Sequence, residues 1–196
     1  MVHISRKSEV EALERMLFLA AVVLLSAGCV QQGVVKESPE TIIIEPFVDN
    51  YFLGGYIGKL SEDFFLVSGD MDTAKQKARA ILIGDGERRS EFGGDELLNF
   101  VVFRGVFSTG GFGLRIDEVE RTGNTIFVHA TYTDPGPGMM VTQAFTQPTA
   151  IVPIGILSEG LYQAQLRVTR VVKGEDGDNK VEVNAIHGEM SFRVVS

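Results

Sequence analysis

The chain has 196 residues, with 18 Lys and Arg against 26 Asp and Glu for a net charge of −8, and a single cysteine. That length suits one domain with a substantial core. An acidic chain without a basic cluster argues against a nucleic-acid partner, and a lone thiol excludes an internal disulfide, so stability must come from packing.

At the N-terminus, Arg6, Lys7 and Arg15 precede the apolar or small run Met16–Gly28, which closes on Cys29. A helix needs about 20 apolar residues to span a bilayer, so this run is too short and reads as the helical core of an export signal. With Ser26-Ala27-Gly28 before the thiol, residues 1–28 resemble a prokaryotic lipoprotein signal peptide. The resemblance implies that Cys29 is lipidated and becomes the first mature residue, anchored on the extracytoplasmic face of the cell membrane. Leu25 lies four places before Cys29, where such signals usually have leucine three before, and Glu9, Glu11 and Glu14 add acid to the leader. An ordinary signal peptide with an incidental cysteine is the alternative. Removing residues 1–28 leaves the net charge at −8, so the membrane link would be covalent rather than electrostatic. One acyl chain holds marginally and several hold stably.

Residues 29–40 are polar and aperiodic, a flexible tether ahead of one β-rich domain over 41–196. Thr41–Val48 is β-branched and predicts a strand, at a sheet edge because Pro46 has no N–H to donate. Asp63–Ser68 predicts a second strand. Asp70–Leu82 predicts the one short helix of the mature chain: Asp70 or Asp72 can cap it, Gly84 follows its end, and Met71, Ala74, Ala78 and Ile81 fall at helical spacing. Leu97–Arg104 is almost continuously apolar, as in a strand buried on both faces. Gly113–Arg121 and Asn124–Thr133 form a hairpin about Arg121-Thr-Gly-Asn124, with Ile126, Val128, Ala130 and Tyr132 on one face. Met139–Gln147, Ala150–Ile156 and Leu161–Val172 follow as strands. Lys180–Ile186 and Glu189–Val195 come next, joined by His187-Gly188, after an acidic hairpin loop at 173–179. Short strands, glycine-rich turns and one helix predict a mainly β fold, a β-sandwich or partly open β-barrel.

The common catalytic constellations are missing. His3 lies in the leader, and His129 and His187 have no Cys or His at metal-ligand spacing. There is no Gly-x-Ser-x-Gly elbow, and with Cys29 committed to lipid no thiol nucleophile remains. Glu175, Asp176, Asp178 and Asn179 have oxygen ligands suited to calcium but lack its spaced loop pattern, and read as a solvated turn. Asp70 and Asp72 read as helix caps. We therefore assign no catalytic residue, metal or cofactor.

Two glycine-rich segments stand out. Gly105–Gly113 follows a strand, as a phosphate loop would, but lacks a Gly-Lys-Ser/Thr ending and runs into another strand, so phosphate binding fails on context. Asp134-Pro-Gly-Pro-Gly-Met-Met140 is the second. Loops at one end of a sandwich can present a binding surface. The candidate contact residues are Thr109, Gly110, Gly111 and Phe112 in the first loop and Gly136, Gly138, Met139 and Met140 in the second.

From about Leu98 to Ile154 the chain resembles the C-terminal domain family of the protease-complex subunit PrcB. The likeness rests on Arg104-Gly105, Thr109-Gly-Gly-Phe112, the hairpin with Ile116-Asp-Glu-Val119 and Thr125-Ile-Phe-Val128, Pro135-Gly-Pro-Gly138, Val141-Thr-Gln143, Thr146-Gln-Pro148 and Ala150-Ile-Val-Pro153. The family often has Tyr where this chain has Phe112. The resemblance implies a non-catalytic lipoprotein that associates with and stabilises an exported protease complex. Thr109–Phe112 also looks like the Thr-Gly-Tyr/Phe loop of chagasin-type cysteine-protease inhibitors, an alternative function. The Arg-Pro-Trp motif of those inhibitors is absent, since the chain has no tryptophan.

Overall fold

Two β-sheets face each other, and an α-helix covers the outer side of the smaller one. The structure is a computed structural model that describes residues 39–42, 44–54, 59, 61–174 and 179–196, together with the backbone but not the side chains of 182–185. Cys29, most of the tether and the acidic residues Glu175, Asp176 and Asp178 lie outside the described residues.

The larger sheet contains β1 (Glu40–Ile42), β4 (Glu91–Gly93), β6 (Gly113–Thr122), β7 (Thr125–Asp134), β9 (Gly160–Val172) and β10 (Lys180–Val195), in the order β1-β6-β7-β9-β10-β4. The smaller contains β2 (Phe47–Asp49), β3 (Asp63–Ser68), β5 (Leu98–Phe103) and β8 (Thr149–Gly155), in the order β2-β8-β5-β3. Neighbours are antiparallel except β7 with β9 and β10 with β4. The expected sandwich is what forms.

Period-2 alternation explains the layers. Along β5, Leu98, Phe100 and Val102 enter the core between the sheets, where Val128, Tyr132, Leu166 and Phe192 meet them. The alternate residues Val101 and Phe103 face the helix side with Ala74, Ala78 and Leu82. All six β5 residues are thereby buried, as the continuous apolar run predicts. The helix, α1 (Met71–Ile83), packs through Ala74, Ala78 and Leu82, one stripe at i, i+4 and i+8. Asp70 caps it by accepting from the Thr73 amide at 2.8 Å, and Gly84 closes it in the left-handed region at φ 92°. No helix among the described residues is long and apolar enough to cross a membrane.

Three expectations are corrected. Thr41–Val48 is not one strand: the chain leaves β1, which pairs with β6, and enters β2 beside β8 in the other sheet. Pro46 lies in the crossing, where its missing N–H deprives no ladder of a donor. Both short strands lie at sheet edges. His187-Gly188 is not a turn, because β10 runs unbroken from Lys180 to Val195 with register shifts at 182/185 and 186/188. A Cβ on Gly188 would lie 2.9 Å from the Cβ of Phe64, so this glycine admits the other sheet's close approach. Met139–Gln147 is also not a regular strand. It is held by isolated bridges from Thr146 to Phe107 and from Gln147 to Tyr51.

Candidate functional site

Arg104 follows the last apolar residue of β5 and is buried, its side chain only 1% exposed. A charge there needs partners. Its guanidinium crosses to the other sheet, where Nη1 donates to the carbonyls of Gly113 (2.8 Å) and Thr133 (2.7 Å). Those two residues face each other in the β6–β7 register. Nη2 donates to the Asp134 carboxylate. The rings of Phe107, Phe112 and Tyr132 have centroids 5.1, 5.4 and 4.8 Å from the guanidinium carbon. Phe107 and Phe112 stack at 3.9 Å, nearly parallel. Burial lowers the Arg104 pKa to about 10, so it stays cationic at neutral pH. Burial and the Glu62 carboxylate push the Tyr132 phenol well above its ordinary value. A line of ionisable side chains continues outward: Arg170 Nε lies 3.5 Å from Asp134, Arg170 Nη2 3.6 Å from Glu62, and His187 Nδ1 3.0 Å from Glu62.

This clasp fixes the bases of both glycine-rich loops. The first is sewn to the segment after the second: Phe107 and Thr146 exchange backbone hydrogen bonds at 2.9 and 3.0 Å. The Gly110 amide donates to the Thr142 carbonyl at 2.8 Å, and Thr146 Oγ1 donates to the Thr109 carbonyl at 2.9 Å. The second loop leans on the exit of β9, where the Lys173 amide donates to the Asp134 carbonyl at 3.0 Å. Gly136 lies so close that an added Cβ would overlap the Lys173 carbonyl oxygen.

All eight contact residues expected from the sequence therefore gather at one end of the sandwich, with unequal access. Gly111, Gly138, Met139 and Met140 are exposed, Thr109 and Phe112 are half-buried, and Gly110 and Gly136 are buried. Met140 is fully exposed. Sequence reasoning missed Phe145 and Tyr51, which are about half exposed at the same end. It also missed the structural role of Arg104, whose signal is a charge placed directly after six apolar or buried positions. Among the described residues no group of His, Cys, Asp and Glu could hold a metal ion.

The fold and this end define a class: a β-sandwich domain that presents a loop-built surface, braced from within by a buried arginine. Residues 99–154 match the family described as PrcB C-terminal. The match starts in β5, contains Arg104, the β6–β7 hairpin and both loops, and ends in β8. No curated protein and no solved structure matches the chain.

Proposed function

We propose that this chain is a lipid-anchored, non-catalytic accessory protein of the cell envelope that binds and stabilises an exported protease or another envelope complex. The observation that carries this reading is the coincidence of the PrcB C-terminal match, residues 99–154, with the segment that supplies the clasp and both loops. The export-type leader and its terminal Cys29 support a covalent membrane anchor. The domain then acts by contact, through side chains held in place rather than through reacting groups. Insertion of Thr109–Phe112 into a protease cleft fits less well, because Gly110 is buried and its amide is engaged with Thr142. The test is affinity purification of the full chain from detergent-solubilised membranes of its own host. A stoichiometric envelope protein, depleted when this chain is deleted, is expected. Recovery of monomer alone would overturn the proposal.

A further inference from the structure

The tips of the two loops carry no charge of their own; the charges at this end, from Arg104 and Asp134 outward to Arg170 and Glu62, lie at the loop bases. Gly105–Leu114 and Pro135–Pro148 contain no Asp, Glu, Lys, Arg or His, in a chain of which 22% is charged. Among these neutral tips stand Met140, fully exposed, and Phe145, with Tyr51 beside them, the last two about half exposed. Tyr51 bridges Gln147, which places it beside the Phe145 segment. Asp49, which accepts from the Tyr51 amide at 2.7 Å, marks the margin of this patch, and thioether and aromatic groups inside a charged or polar rim are what a protein interface presents. A charged surface docked here would lose its hydration and find no counter-charge between Pro135 and Pro148 or between Gly105 and Leu114.

The strand register also gives this end a direction. β1 enters the larger sheet with Glu40 opposite Arg121, near the Thr122 end of β6. The clasp and loops meet the Gly113 end of the same ten-residue strand, roughly 30 Å away at about 3.3 Å per residue. The tether therefore joins at the opposite pole from the loops. The ten residues Val30–Pro39 reach at most about 35 Å when fully straightened. Laying the loops on the bilayer would use nearly all of that reach and its entropy.

Resting on the accessory reading above, we propose that the Tyr51–Met140–Phe145 end is the docking surface, that it faces away from the membrane, and that its occupant is an uncharged apolar patch of a different protein. The domain thus serves as a spacer holding its partner roughly one domain length above the bilayer.

The test places photoreactive benzoylphenylalanine at Met140, Phe145, Asn124 or Gln163 in the full-length chain in its host membrane. Asn124 marks the tether end and Gln163 the outer face of β9. The expected result is one adduct of common mass from positions 140 and 145, none from 124 or 163, and at least a tenfold loss at position 140 when Phe145→Asp is added. The yield should hold from roughly 0.05 to 0.5 M salt, because no ion pair contributes. Adducts only from 124 or 163 would overturn the docking surface while leaving the accessory reading standing. An adduct of twice the chain mass would show a second copy as occupant and overturn the proposal. A fluorophore at position 140, with the full-length chain in phosphatidylcholine vesicles, checks orientation: quenching by bilayer-borne spin labels would overturn it. No adduct at any position would overturn both readings.

Discussion

Arg104 and Asp134 form an ion pair between the two sheets: the arginine follows β5 of the smaller sheet, and the aspartate ends β7 of the larger. The arginine has no solvent to fall back on, whereas the aspartate is one-fifth exposed and also lies near Arg170. Removing one partner of a buried pair leaves the other uncompensated, at about 3–5 kcal/mol. Arg104→Met should therefore destabilise by about 3 kcal/mol, since the Gly113 and Thr133 carbonyls lose their donor as well. Asp134→Ala should cost more, about 4 kcal/mol, because it leaves the buried guanidinium without its counter-charge. Urea unfolding of both single variants and the double variant gives the coupling. Strict additivity would mean that the pair contributes no stability of its own.

A second ion pair yields a pH dependence. Glu96 accepts from both terminal nitrogens of Arg89, at 2.9 and 2.8 Å, and from the Gly93 amide at 2.7 Å. Arg89 lowers the Glu96 pKa from the ordinary 4.5 to about 2. A carboxyl depressed in the folded state stabilises fully above its unfolded value, and that contribution fades as pH falls from about 4.5 to about 2. Arg89 is half exposed, so screening holds the effect to about 1 kcal/mol or less. Glu96→Gln should lower stability at pH 7 by that amount and match the unsubstituted chain near pH 2. A constant difference across the range would contradict the pairing.

The anchor has its own test. If Cys29 carries lipid, Cys29→Ser should abolish acyl labelling and move the chain from the membrane to the soluble fraction, or leave its leader uncleaved. The folded domain should be untouched, since its first strand begins at Glu40, well after Cys29. Metabolic labelling with a fatty-acid analogue, followed by fractionation, reads both outcomes. Equal labelling of the two chains would remove Cys29 as the attachment point.

What was legible in the sequence was what neighbours in the chain decide. The helix announced itself because its cap at Asp70, the helical spacing of Met71, Ala74, Ala78 and Ile81, and its stop at Gly84 all lie within fifteen residues. The residue the structure buries beside Ala74 and Ala78 is nonetheless Leu82. The β6–β7 hairpin and the double burial of β5 were equally local. Sheet membership was not. Nothing near Thr41–Val48 says that Glu40 pairs with Arg121 while Phe47 pairs with Ile151, and only those distant partners split the segment. The same limit hid Arg104, whose acceptors come together only when the two sheets stack. Phe145 stayed hidden because the irregular path of 139–147, held by isolated bridges, does not follow strand alternation.

Two glycines in the loops separate rigid from yielding contacts. A Cβ at Gly136 meets a backbone carbonyl, that of Lys173, whereas one at Gly110 meets the hydroxyl of Thr142. The carbonyl cannot leave without moving the exit of β9, while Thr142 is exposed and free to turn. Gly136→Ala should therefore cost about 2–3 kcal/mol, in the range of overpacking, and displace Met139 and Met140. Gly110→Ala should cost about 1 kcal/mol or less, and Thr142→Ala in the same chain should recover most of it. Chemical denaturation ranks the variants, and amide exchange at residues 136–146 reports whether the loops have moved. If Gly136→Ala proved as mild as Gly110→Ala, the second loop would not be braced against β9, and the fixed arrangement of Met139 and Met140 would lose its cause.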